Sequence, residues 1–301
     1  MANGASVGGK WCDVLWQTVR CIVATLCFMS LNDIILLEGM KMTEPKYLEA
    51  RNRTVVKANE LIQQSRFNLS LQQQKIVLYL ISQITPYDEE FKLYEFSIPE
   101  FCRVCGIDMT SGKNYQDLKQ AIKDIADKSL WINLDEDEET LLRWIEKPYV
   151  NKKSGIIKIR LDEDMKPFLL QLKKNFTQYE LIYTLHFKSK YTIRLYELIK
   201  SIHFKELEEY TRKYRLEEIK RILGAENYQE YRDFKRRVLE PAIKEIVEYS
   251  DKELSYQEIK QGRKVIGIQF TVRTKDAINR MKIREQIEQE MGLSQLSLWD
   301  D

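Results

Sequence analysis

Glu218-Ile-Lys-Arg-Ile-Leu-Gly224, Tyr231-Arg-Asp-Phe-Lys-Arg-Arg237 and Lys260-Gln-Gly-Arg-Lys264 follow one another within fifty residues and decide the fold. The first piece is apolar at helical spacing and stops at a glycine, so Glu217–Leu223 reads as a short helix. The second opens a long amphipathic helix over 228–249, which Pro241 is predicted to kink because it has no N–H to donate. The third is the Gly-containing turn of a hairpin between strands Leu254–Lys260 and Val265–Arg273. A short strand at Tyr214–Leu216 precedes the set, and the helix Lys188–His203 precedes that strand. Helix, strand, helix, helix, hairpin is the order of a winged helix-turn-helix.

The same order stands upstream. Val56–Arg66 and Ser70–Ile84 read as amphipathic helices, the second with Ser70 as its N-cap. Leu93–Ile98 reads as a strand, Glu100–Cys105 as a helix opened by Pro99, and 114–128 as the next helix. Strands at Leu130–Leu134, Leu141–Lys147 and Ile156–Leu161 follow. The two copies align locally: Glu100-Phe-Cys-Arg-Val-Cys-Gly106 with the first quoted piece, and Tyr115-Gln-Asp-Leu-Lys119 with Tyr231-Arg-Asp-Phe-Lys235. Ala121-Ile-Lys-Asp-Ile125 aligns with Ala242-Ile-Lys-Glu-Ile246. The expected class is α+β, two tandem winged helix-turn-helix domains forming a pseudo-twofold internal repeat. The expected organisation is an N-terminal extension over 1–53, a first module over 54–161 and a second over 162–275. A C-terminal helix and tail cover 276–301.

Charge placement separates the two modules. A formal net charge of +2 on 301 residues does not by itself announce a nucleic-acid partner, so position has to carry the case. In a winged helix the last helix before the hairpin enters the major groove and the hairpin tip touches flanking backbone. In the second module these two elements carry Arg232, Lys235, Arg236 and Arg237, and Lys260, Arg263 and Lys264. Arginine can read guanine through two hydrogen bonds, and either cation can neutralise phosphate. The first module offers Lys113, Asn114, Gln116, Lys119 and Lys123 on its corresponding helix. The turn after its first strand is Asp135-Glu-Asp-Glu-Glu139, five carboxylates that phosphates would repel. The second module is expected to carry most of the duplex-DNA contact, with the first as an auxiliary contact. Lys188 and Lys190 are further candidates.

The remaining features exclude more than they assign. Five cysteines form no disulfide framework and point to a reducing cytoplasm. Cys102-Arg-Val-Cys105 lacks a second pair or suitably spaced histidines for zinc, and reads as two small apolar residues on a helix. The apolar run Cys21–Leu31 is too short for a bilayer, which needs about 20 residues. Residues 1–41 read as an upstream extension, with Met40 or Met42 as a natural start. Gly4–Lys10 has the spacing of a phosphate loop but ends in Trp11, where magnesium would want a hydroxyl. No cofactor or metal is expected.

From about Val55 to Thr274 the chain resembles the Rep initiators of iteron-type plasmids, the twin winged-helix RepB/RepE/pi class. The resemblance rests on Val56-Lys-Ala-Asn-Glu-Leu61, Leu69-Ser-Leu-Gln-Gln-Gln-Lys75 and Phe187-Lys-Ser-Lys-Tyr-Thr-Ile-Arg-Leu-Tyr-Glu-Leu198. Phe234–Leu239 with Pro241-Ala-Ile243 completes the set. It implies binding to direct repeats at a plasmid origin in a bacterial cytoplasm, as monomers in equilibrium with homodimers paired through the first module. It also implies origin opening, recruitment of host initiator and helicase, and repression of the protein's own gene. A winged-helix transcriptional regulator without initiator activity is the nearest alternative. Rolling-circle nicking enzymes need a His-x-His metal pair beside a tyrosine nucleophile, whereas His186 and His203 lie seventeen apart. The chain therefore reads as a binder, not an enzyme. At the C-terminus, Gln295-Leu296-Ser-Leu298-Trp299 resembles the peptide that docks on bacterial sliding clamps, with Trp where Phe is usual.

Overall fold

Thr54–Ala58 is a strand, β1, where a helix was expected from Val56. Three consecutive β-branched residues, Thr54, Val55 and Val56, favour the extended chain. The partner strand comes from far downstream, with Val55 opposite Tyr179 and Ala58 opposite Phe176. The computed structural model describes residues 53–85, 87–105, 114–135, 137–151, 153–202 and 208–290.

After β1 come helix α1 (Asn59–Gln63), strand β2 (Ser65–Arg66) and helix α2 (Leu71–Ile81). α2 begins where the sequence predicts. Ser70 Oγ accepts the Gln73 N–H at 3.3 Å, and the Gln73 side-chain oxygen accepts the Ser70 N–H at 2.9 Å, a reciprocal cap. Strand β3 (Tyr94–Ser97), helix α3 (Ile98–Cys105) and helix α4 (Asn114–Asp127) follow, then β4 (Ser129–Asn133), β5 (Glu139–Arg143), β6 (Tyr149–Asn151) and β7 (Ile156–Ile159). Leu118, Ala121, Ile122 and Ile125 form the buried stripe of α4, as their spacing predicts. Tyr79, Phe96 and Phe101 lock α2, β3 and α3 together with ring centroids 5.3 to 5.7 Å apart.

The chain continues through α5 (Lys166–Leu169), β8 (Phe176–Glu180), α6 (Leu181–His186) and α7 (Lys190–Ser201). The helix expected from Lys188 starts two residues later, because Ser189 takes the cap and accepts the Tyr191 N–H at 3.2 Å. β8 is the partner of β1, so this part of 162–200, assigned to the second module by sequence, is hydrogen-bonded to the first. α7 packs on both α1 and the next helix, α8 (Leu216–Leu223).

Strand β9 (Glu209–Arg215) and helix α8 (Leu216–Leu223) open the second copy. Gly224 ends α8 as predicted, at φ +66°, a left-handed position that glycine occupies without a Cβ clash. Then come α9 (Tyr231–Phe234), a π turn (Lys235–Leu239), α10 (Glu240–Tyr249), β10 (Lys252–Gln261), β11 (Lys264–Thr274) and α11 (Ala277–Glu290). Phe234, Val238, Leu239, Ala242 and Ile246 are buried, as are Ile268, Phe270 and Val272 on β11. Full burial of each such large side chain is worth roughly 1.5–3 kcal/mol. α11 is held by the buried Ile287 and by the ion pair Arg284–Glu180 (3.1 Å), and its Glu290 carboxylate lies 3.2 Å from the buried His186 ring. Among the described residues, no helix is long and apolar enough to cross a membrane.

Strand order proves the repeat and reassigns one of its parts. In the first copy the sheet runs β3–β7–β6, and in the second β9–β11–β10, all antiparallel. Each copy is therefore strand, helix, helix, hairpin, with the second hairpin strand pairing back to the first strand. Two winged-helix domains are present. The acidic turn after β4 belongs to a different sheet, β2–β4–β5. The first copy's equivalent of the Gln261–Lys264 wing tip is the β6–β7 turn, which contains Lys153.

Candidate nucleic-acid interface

The helix before the hairpin of the second module, Tyr231–Tyr249, is continuous but irregular. Pro241 cannot donate to the Arg237 carbonyl, and the chain responds in the preceding turn by widening. The Glu240 N–H reaches back five residues to the Lys235 carbonyl. The expected kink at Pro241 is thus a π turn, and it carries Arg236 and Arg237, both exposed. Arg232 is exposed one turn earlier, while Phe234, Val238 and Leu239 hold the opposite face in the core.

The basic residues of this surface divide into two groups. Glu258 on β10 collects three donors: the Tyr231 hydroxyl at 2.9 Å, the Lys235 ammonium at 3.0 Å and the Lys260 ammonium at 3.0 Å. Hydrogen bonds from Lys260, Lys235 and Tyr231 pull its carboxyl down to about 2. Lys235 is correspondingly held above its ordinary value, chiefly by that hydrogen bond. Glu258 therefore pins this helix to strand β10 and occupies two of the cations. Arg236 is exposed and 3.3 Å from Asp233 on its own helix. Arg232, Arg237, Arg263 and Lys264 are exposed with no ion pair among the described residues. At the wing tip, Gly262 takes φ +61° at the first position of a two-residue connection, as a type II′ turn requires.

The structure adds residues that the sequence reading passed over. An open groove of about 610 Å³ runs between α8 and the tip end of the wing, lined by Arg215, Arg221 and Lys264 with Glu217, Glu218 and Ile266. Arg215 caps the start of α8, Arg221 lies in its last turn, and both are exposed. Their position beside Lys264 depends on the β9–β11 pairing, with Arg215 opposite Gly267. Along β9 the buried Tyr210 and Tyr214 stand among exposed Thr211, Arg212, Lys213 and Arg215, and the basic run Arg212-Lys213-Tyr214-Arg215 is the signal that could have found one of them.

In the first module Gln116, Lys119 and Lys123 lie exposed on α4, on the face opposite its buried stripe. Lys123 pairs with Asp127 one turn on. Asn114 is the first residue of α4, and Lys113 lies outside the described residues. In the β6–β7 turn the Asn151 side-chain oxygen accepts the N–H groups of Lys153 (3.0 Å) and Ser154 (3.2 Å), and Lys153 is exposed. The acidic turn is fastened on itself, with Asp135 accepting the N–H groups of Asp137 and Glu138 at 2.8 Å. Glu139 is paired with Arg66.

Lys188 is exposed, and its N–H donates to Glu245 at 3.2 Å. Lys190 is turned inward, donating to Asn68 at 2.9 Å and lying over the Tyr191 ring. Burial lowers its affinity for a proton. Cys102 is buried, and burial pushes its thiol up to about 11, which suits a packing residue. The clamp-like residues Gln295, Leu296, Leu298 and Trp299, the extension over 1–52 and His203 lie outside the described residues.

Two family models match this chain: "Initiator Replication protein, WH1" over residues 54–200 and "Initiator Rep protein, WH2" over 215–272. The chain belongs to the Rep initiator family. A Rep-family relative from Escherichia coli, described as a replication initiation protein, is 28% identical over 226 residues, covering 72% of this chain and 69% of its own. Among solved structures, the crystal structure of Pi initiator protein in complex with iteron DNA matches with a TM-score of 0.61 at 20% identity. That match covers 75% of this chain and 99% of the other, and it establishes the shared twin winged-helix fold. The Rep-family match to 54–200 takes in β8 and α7, in accord with the β1–β8 ladder. This chain is a replication initiator with two winged-helix domains.

Proposed function

We propose that this Rep-family protein binds direct repeats in duplex DNA at a plasmid origin, with unequal contributions from its two modules. The second module supplies the principal base contacts through Arg232, Arg236 and Arg237, and backbone contacts through Arg263, Lys264, Arg215 and Arg221. The first adds contacts from Gln116, Lys119 and Lys123 on α4 and from Lys153 on the β6–β7 turn. Site occupancy then favours opening of the neighbouring duplex and recruitment of host initiator and helicase. Homodimers that pair through the first module repress the protein's own gene. The observation that carries this reading is the set of exposed cations with no ion pair among the described residues, Arg232 and Arg237 on the helix and Arg263 and Lys264 on the wing. A winged helix uses those two elements on DNA.

The test is maintenance of a replicon together with a gel shift. A plasmid carrying only this gene and its adjacent repeats is expected to be maintained in its host, and the protein to shift the repeats. A protein that shifts the repeats and represses the promoter but cannot sustain the plasmid is a regulator, and the initiator reading fails.

A further inference from the structure

One buried guanidinium joins the two winged-helix domains. Arg194 lies on α7 and is nearly inaccessible to solvent. Its Nη2 donates to the carbonyls of Ile62 (3.3 Å) and Ser65 (3.2 Å) in the first module. Nη2 and Nε both donate to the Ile222 carbonyl in the second, at 2.9 and 3.1 Å. Ile62 is in the last turn of α1, and Ile222 in the last turn of α8. Helix C-termini present carbonyls with no intrahelical donor and a partial negative charge, so a single cation here satisfies one helix end from each module. The fork of N–H groups on guanidinium can serve carbonyls in several directions at once; an ammonium is a single point.

The surroundings hold that guanidinium in place. Its carbon sits 4.3 Å from the Phe67 ring centroid, and Phe67 packs edge-on against Trp144 at 5.0 Å. Glu197, one turn further along α7, accepts from Lys57 (2.6 Å) and Tyr179 (2.5 Å), and its negative charge favours the guanidinium nearby. A Cβ on Gly224, directly after α8, would lie 3.4 Å from the Phe67 carbonyl, so the backbones of the two modules also approach closely beside the joint. α8 is the helix that leads into the recognition helix. Whatever fixes its end relative to α1 fixes how one DNA-facing surface is aimed relative to the other.

We propose that Arg194 is a positioning residue that sets the relative orientation of the two modules, so that both engage one DNA repeat at once. The proposal rests on the reading that both modules contact DNA. Two binding surfaces held at the right spacing gain avidity without any new contact, and lose it when the geometry is wrong.

The experiment compares two duplexes. One carries a complete direct repeat from beside the gene. The other is shortened to the stretch that the second module protects from hydroxyl radicals. Wild-type protein is expected to bind the complete repeat at least about tenfold more tightly than the shortened one. Arg194→Lys keeps the charge but loses the fork. It is expected to lose about tenfold on the complete repeat and to stay within about twofold of wild type on the shortened one. Phe67→Leu removes the ring beneath the guanidinium and is expected to give the same selective loss at smaller size, which keeps the test decisive should the lysine variant fail to fold. Equal losses on both duplexes, or no loss on either, overturn the positioning role. Wild-type protein that binds both duplexes equally refutes the two-module reading instead.

Discussion

Replacing Glu258 with glutamine separates the two jobs assigned to the second module's basic residues. The carboxylate receives Tyr231, Lys235 and Lys260 at 2.9 to 3.0 Å, and its carboxyl sits at about 2 against an ordinary 4.5. A fall of that size corresponds to about 3.4 kcal/mol at 1.36 kcal/mol per unit. The side chain is 19% exposed, so solvent screens the interaction, and about 1–2 kcal/mol is the fairer figure. A carboxylate whose folded value is depressed stabilises the fold fully above the unfolded value. That stabilisation fades as pH falls from about 4.5 through about 2. Urea unfolding followed by circular dichroism should show Glu258→Gln about 1–2 kcal/mol less stable than wild type at pH 7. A gap of that size corresponds to a fall of about 0.7–1.5 units, so only about a tenth to a fifth of it should remain at pH 3. At the same time Lys235 and Lys260 lose their anion. Non-specific DNA affinity should rise and the salt slope steepen by about one to two, since each newly engaged phosphate adds about 0.9. A variant whose stability gap is the same at pH 7 and pH 3, with an unchanged salt slope, would refute the pinning role of Glu258.

Other substitutions test neighbouring parts of the surface. Arg237→Ala is expected to cost about 1–3 kcal/mol on the repeat if it reads a base, measured by titration against matched and scrambled duplexes. If Arg237 touches only phosphate, both duplexes should weaken alike, with a salt slope shallower by about one. Lys153→Ala at the tip of the β6–β7 turn should lower the salt slope by about one, whereas Asp137→Ala in the acidic turn should leave affinity within about twofold, because only the former tip is equivalent to the second module's wing. Gly224→Ala forces a Cβ into a left-handed position and should lower stability by about 1–2 kcal/mol in urea unfolding. Removal of residues 295–301 should abolish capture by an immobilised bacterial sliding clamp, and undiminished capture would reject the tail as a clamp peptide.

Local signals were readable in the sequence, and long-range ones were not. Ser70, Gly224, Pro241 and Gly262 each mark a cap, a stop, a helix irregularity or a turn, because each imposes a backbone condition on its immediate neighbours. β1 escaped notice because Val56-Lys-Ala-Asn-Glu-Leu61 carries on into a true helix at Asn59, and the strand before it is fixed by β8 far down the chain. The wing of the first module is not legible in the sequence for a related reason. Two hairpins follow α4, and only the pairing of β7 with β3 says which of them is equivalent to β10–β11. The basic clusters were visible as letters, but their availability was not. Lys235 and Lys190 are engaged by Glu258 and Asn68, partners far along the chain, and Lys260 by the same Glu258, two residues before it on β10.

The central claim, that the helix and wing of the second module read the DNA repeat, is tested most directly by one equilibrium titration. Wild-type protein and the double variant Arg237→Ala/Arg263→Ala are titrated with a duplex of the direct repeats and with a scrambled duplex at the same salt. Wild type is expected to prefer the repeats by about a thousandfold or more, and the double variant to lose at least about tenfold on the repeats. A double variant that binds the repeats like wild type would contradict the claim and move the DNA-reading surface elsewhere on the molecule.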